Sequence, residues 1–95
     1  MIHYQLSFVP EVKEKLRVFP PDIKQHVKLA LREISKNPRS GEPLERELSG
    51  YWKFRAKRYR VIYNIDESKH SITIFLIDHR KFVYERFQQI LEENK

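Results

Sequence analysis

No cysteine occurs in the 95 residues, which removes disulfide stapling, thiolate nucleophiles and thiolate metal ligands together. Only two glycines are present, Gly41 and Gly50, and they stand apart. Neither a Walker loop nor a dinucleotide-binding fingerprint can be built from them. The four histidines, His3, His26, His70 and His79, share no ligand spacing, and no HExxH or paired acidic motif exists; metal-centred catalysis fits poorly. No apolar run approaches membrane-spanning length, and the opening MIHYQLSFVP lacks the basic leader and long apolar stretch of an exported chain. These absences set the expectation of a cytoplasmic protein with no cofactor, no metal and no membrane association. At 95 residues and 11.6 kDa, one domain spanning 1–95 with a modest core is expected.

What the chain does carry is positive charge. Lys and Arg total 19 against 13 Asp and Glu, a net charge of +6, and the pI is near 9.7. A polyanion or an acidic protein is therefore a plausible partner. The excess is concentrated: residues 51–60, YWKFRAKRYR, hold five cations and no acid. Taken alone, that run reads either as a solvated surface or as a nucleic-acid contact.

Periodicity sets out the elements. Residues 3–9 alternate as a first strand ending at Pro10, and residues 11–19 carry Val12, Leu16 and Phe19 at helical spacing. Pro20 and Pro21 break the chain, and Pro21 can open a second helix because its missing N–H falls where no intrahelical bond is made. Over residues 22–36, Ile23, Val27, Ala30, Leu31 and Ile34 make one apolar stripe, and Asn37-Pro38 ends it. Residues 37–50 form a long polar connection, either functional or packed through Leu44 and Leu48. Three extended segments follow. In residues 51–56 Trp52, Phe54 and Ala56 face away from Tyr51, Lys53 and Arg55, and in residues 59–65 Tyr59, Val61, Tyr63 and Ile65 face away from Arg60, Ile62 and Asn64. Residues 71–78 are almost continuously apolar, as in a strand covered on both faces. Short links make these three an antiparallel meander. Residues 83–93 read as a terminal helix, with an extended piece over residues 81–84 as the competing reading. The fold class is α+β: an N-terminal strand and helical hairpin packed on a small antiparallel sheet, then a C-terminal helix.

If this chain is an enzyme, unaided side chains remain to do the chemistry, and RNA cleavage can be done that way. The 2′-hydroxyl loses a proton, the pentavalent phosphate is stabilised, and the departing 5′-oxygen is protonated. Lys53, Arg55 and Arg60 lie on adjacent strands, and Arg80 and Tyr84 follow the third. Arg60 sits between core-like residues, so it either faces a groove or forms an ion pair, with Glu47 as a possible acid. Arg80, in DHRK, is a functional cation or an exposed turn, and the neighbouring Lys81 extends the same charge. Tyr84 is a reactive phenol or a core ring with its hydroxyl in water. His79 suits proton transfer by its near-neutral pKa, although a histidine at a strand end needs no such duty. Lys53 and Arg55 are phosphate-contacting or merely soluble surface. Lys57 and Arg58 are hairpin-turn cations that extend the field. Tyr51, on the cationic side, is the better base-stacking candidate, whereas Trp52 and Phe54 read as core.

The stretch LSGYWKFRAKRYRVIYNI, followed after a short turn by ITIFLIDHRKFVY, resembles the RelE/ParE superfamily of type II toxins. With the helical hairpin upstream, the resemblance covers essentially the whole chain. It implies a RelE-like fold and, for members similar to RelE, metal-independent cleavage of mRNA in the ribosomal A site. On the same basis Lys53, Arg60, Arg80 and Tyr84 match the catalytic lysine, the two arginines and the C-terminal tyrosine. Tyr51 stands where RelE has a second lysine and His79 where lysine is found, which could shift proton transfer toward His79. The superfamily also includes ParE-type toxins that poison DNA gyrase without this chemistry. The resemblance further implies a cognate antitoxin as partner, mRNA and the ribosome as targets, and DNA only indirectly, through the antitoxin.

Overall fold

The computed structural model of the protein describes residues 3–93. Its elements in chain order are β1 (Gln5–Phe8), α1 (Pro10–Val18), α2 (Pro21–Lys36), β2 (Glu42–Pro43), β3 (Trp52–Ala56), β4 (Tyr59–Asp66), β5 (Ser71–His79) and α3 (Val83–Glu93), with 3-10 turns at Pro38–Ser40 and Arg46–Leu48. The terminal helix therefore forms, and residues 80–82 are a turn leading into it rather than a strand. Prolines set the helix starts: Pro10 opens α1 as Pro21 opens α2, since φ near −65° is already helical there. Phe19 and Pro20, each preceding a proline, are held extended at ψ 140° and 153°, the region such residues favour.

The sheet has the order β1-β5-β4-β3-β2. The meander pairs antiparallel as expected, but β1 runs parallel to β5. Burial of β5 on both faces explains its unbroken apolar run. On one face, Val27, Ala30, Leu31 and Ile34 of α2 and Val12 of α1 close over Val61, Tyr63, Ile72, Ile74 and Ile77. On the other, Val83 and Phe87 of α3 pack on Ile62 and Leu76, with Leu44 and Leu48 at the margin. The long connection is thus packed, as one of its two readings held.

Alternation in β5 breaks once. Ile62 pairs with Leu76 but Tyr63 pairs with Ile74, so Phe75 is an extra residue in the ladder. Phe75 and Leu76 both join the α3 side, while Ile74 and Ile77 belong to the hairpin side. Beyond the bulge, odd and even positions have exchanged faces.

The connection is pinned by Tyr63, whose buried hydroxyl donates to the Pro38 carbonyl at 2.7 Å. A side chain at Gly41 would run into the Lys53 carbonyl and the same hydroxyl, so only glycine lets β2 approach β3 here. Burial pushes the Tyr63 pKa up from 10.0 to about 12. Its folded value is raised, so its contribution is fully present below pH 10 and is lost as pH climbs through 12. Two pKa units correspond to about 2.7 kcal/mol. Urea unfolding at stepped alkaline pH is expected to show wild type losing stability over that window relative to Tyr63→Phe; parallel curves for the two proteins would refute the assignment.

Candidate active site

Strand register decides which cations meet. Lys53 lies opposite Ile62, and Arg55 lies opposite Arg60, so all three cations share the face that α3 partly covers. The first turn of α3 brings Tyr84 to the same place: the Lys53 ammonium sits 5.5 Å from the centre of the Tyr84 ring, within cation–π range. Among the described residues no carboxylate forms an ion pair with Lys53 or Arg60.

Arg60 also faces Asp78 across the other side of its strand, yet that carboxylate is committed elsewhere. Asp78 is buried, its Oδ1 accepts the His79 amide at 2.7 Å, and its Oδ2 lies 2.9 Å from Arg86 Nε and 3.4 Å from Lys15 Nζ. The Arg86 approach is an ion pair rather than an aligned hydrogen bond, because Oδ2 has no donor in bonding geometry. Arg60 instead uses Nη1 on the Lys57 and Tyr59 carbonyls, both at 2.9 Å. The anticipated alternative, an ion pair with Glu47, does not form. Nε and Nη2, the edge that grips an oxyanion in parallel, make no hydrogen bond among the described residues. Two arginines set directly opposite one another repel, an arrangement better suited to receiving an anion than to holding the sheet together.

The remaining cations ring the same end of the sheet. Lys57 and Arg58 form the β3–β4 turn, with Lys57 in the left-handed region at φ 58°. The Arg80 amide donates to the Arg58 carbonyl at 2.7 Å, which ties the end of β5 to that turn. Arg55, Lys57, Arg58, Arg80 and Lys81 are all exposed. Two candidates are placed differently. Tyr51 is packed edge-on against Phe75 and Phe87, at 5.4 and 4.8 Å between ring centres, so its ring belongs to the cluster beneath α3. His79 follows Asp78 onto the opposite face, where it meets the Tyr59 ring at 5.7 Å. Its Nδ1 accepts the Lys81 amide at 3.1 Å. Trp52 stacks at 6.5 Å on Tyr63, in the core as expected.

Sequence reasoning passed over Asp78, which fastens α3 through Arg86 and α1 through Lys15. Its signal was available: a lone acid closing the apolar run ITIFLID needs a partner if buried.

Residues 8–84 match the family model of the ParE toxin of type II toxin–antitoxin systems, parDE. The chain belongs to this family, within the RelE/ParE superfamily. The toxin is 35% identical to Toxin RelG of Mycobacterium tuberculosis over 85 residues, covering 87% of this chain and 98% of that one. Its fold superposes on a chain of the toxin–antitoxin complex RelBE2 from Mycobacterium tuberculosis with a TM-score of 0.73 at 35% identity, covering 84% of this chain and 94% of that chain. The isolated E. coli RelE toxin gives a TM-score of 0.69 at 18% identity, with 93% and 98% covered, a likeness of fold alone. The α+β arrangement of the toxin is thus the RelE fold.

Proposed function

We propose that this toxin is an endoribonuclease that cuts mRNA, in the ribosomal A site, with side chains alone, and that a cognate antitoxin neutralises it. The observation that carries the reading is the convergence on one face of Lys53 over Tyr84 with Arg60, whose Nε–Nη2 edge is unclaimed. In this reading the 2′-oxygen attacks phosphorus, the P–O5′ bond breaks, and a cyclic 2′,3′-phosphate and a 5′-hydroxyl result. Arg60 and Arg80 stabilise the negative charge that builds on the phosphoryl oxygens. Lys53 adds charge or handles a proton, and Tyr84 stacks on a base or serves in proton transfer. Arg55, Lys57, Arg58 and Lys81 hold flanking phosphates. The antitoxin reading draws on the solved complex of the 35% identical relative; acidic side chains on an antitoxin segment would suit this cationic face and keep RNA away. Contact with operator DNA would then come through the antitoxin.

The family model is described by ParE, which favours one second reading, a gyrase-directed toxin without nuclease chemistry. Primer extension on cellular mRNA after induction without antitoxin separates the two. New breaks within codons are expected, and Lys53→Ala, Arg80→Ala and Tyr84→Phe are each expected to remove most of them. Intact mRNA in cells that stop growing and accumulate DNA damage would instead identify the gyrase-directed toxin.

A further inference from the structure

The sheet separates His79 from Lys53, Arg60 and Tyr84, and on its own side His79 lines a cavity of about 430 Å³. Asp22 and His26 from the first half of α2 form one wall, and Lys57, Arg58 and Tyr59 of the β3–β4 hairpin form the other. The rings of Tyr59 and His79 are fixed edge to face at 71°, and Tyr59 is held from behind by Phe19 at 5.5 Å. Lys57 and Arg58 are at once the rim of this cavity and the margin of the cationic face. Tyr59 and Arg60 are consecutive in β4 and take opposite faces, so a strand of RNA on Arg60 reaches the cavity by crossing that rim.

We propose that this pocket takes one nucleobase of the bound RNA, adjacent to the segment on the Lys53–Arg60 face, and that it prefers guanine. The inference rests on RNA being the substrate. Exposed bases of single-stranded RNA are held by stacking on aromatic and histidine rings and by hydrogen bonds to their Watson–Crick edges, and Tyr59, His79 and His26 supply the rings. Lys57 and Arg58 stand where the phosphate joining the two segments crosses. Asp22 provides the selection. It is exposed, and its two oxygens match the adjacent N1–H and amino donors of guanine. Adenine and cytosine place an acceptor beside their amino group, and uracil flanks its single N–H with two carbonyls; each therefore sets an oxygen or ring nitrogen against the carboxylate. An acidic peptide would gain the two cations but would meet Asp22 as a like charge.

The test uses purified toxin and short 2′-O-methyl oligonucleotides, which lack the attacking hydroxyl, so that binding is read without cleavage. In fluorescence anisotropy a guanine-containing oligonucleotide is expected to bind about tenfold tighter than a uracil-only one of equal length. Asp22→Asn is expected to bring the two within about twofold, and His26→Ala to weaken the guanine oligonucleotide by about fivefold or more. A ¹⁵N-resolved titration should move the amides of Asp22, Tyr59 and His79 in folded wild-type protein. Equal affinities for the two oligonucleotides, or shifts confined to the Lys53 and Tyr84 side, would overturn the proposal, as would a polyglutamate peptide occupying the cavity while RNA leaves it untouched. If mRNA breakage requires Lys53 yet binding ignores Asp22 and His26, the ribonuclease reading stands and the pocket falls. A guanine preference in a toxin that breaks no mRNA gives the reverse.

Discussion

Arg60→Ala is expected to slow mRNA breakage by about 10²- to 10³-fold, the scale of removing one preorganised donor from a developing oxyanion. The expectation follows from what Arg60 does not touch. Asp78 stands opposite it but is held by Arg86 and Lys15, and Arg55 stands opposite it on the other side. The guanidinium is therefore oriented by two backbone carbonyls and left with its bidentate edge free. Folding should change little, because the lost carbonyl contacts are offset in part by relief of the Arg55–Arg60 repulsion; a net change of about 1 kcal/mol would move Tm by about 4–8 °C. Arg60→Lys retains the charge without the planar fork and should fall between wild type and alanine. Breakage at the wild-type rate in a folded Arg60→Ala protein would remove Arg60 from the mechanism.

Phe87→Ala carries the largest expected effect on stability. Phe87 is 0% exposed, sits against Tyr51 and Phe75, and belongs to the apolar cluster that seats α3 on the sheet. Truncating a buried phenylalanine costs about 3–5 kcal/mol, a large share of the roughly 5–15 kcal/mol that stabilises a domain. Thermal unfolding followed by circular dichroism should show Tm falling by more than about 10 °C. Activity should fall before global unfolding, since a loosened α3 carries Tyr84 away from Lys53. Phe87→Leu should recover most of the loss. A Tm unchanged by alanine would mean that α3 is held by Asp78–Arg86 rather than by its apolar face.

Helices and the meander were legible because their apolar residues recur at 3.6 or 2 positions over long windows, as in the stripe from Ile23 to Ile34 and the alternation from Trp52 to Ile65. That Lys53, Arg55 and Arg60 lie on adjacent strands was legible for the same reason; their common face follows from the β3–β4 register, which the two-residue turn fixes. Other features leave no periodic trace. The strand Glu42–Pro43 is two residues long, too short to alternate, and its pairing depends on the space left by Gly41. Parallel pairing of β1 with β5 is a tertiary choice that the local pattern of β1 does not encode. The placement of Tyr51 followed its strand correctly to the side of Lys53 and Arg55, but the sequence could not show that Phe75 and Phe87 already occupy its ring. His79 was misleading for a different reason: the residue that decides its side, Phe75, lies four positions upstream in a run so uniformly apolar that a bulge is invisible.

That extra residue sets the two faces of the sheet in antiphase. Past Phe75, the acid that anchors α3 and the histidine that lines the opposite cavity occupy adjacent positions, and one residue of phase assigns each to its side. The same residues laid down in unbroken alternation, without the bulge, would keep the same composition, charge and motif. They would nevertheless deliver Asp78 to the cavity and His79 beneath α3, leaving Arg86 without its anchor and placing an acid among the rings. The DHR tripeptide is therefore an address read relative to the bulge, and a relative that carries it at the same spacing in a strand without the bulge would present a different surface from the same letters.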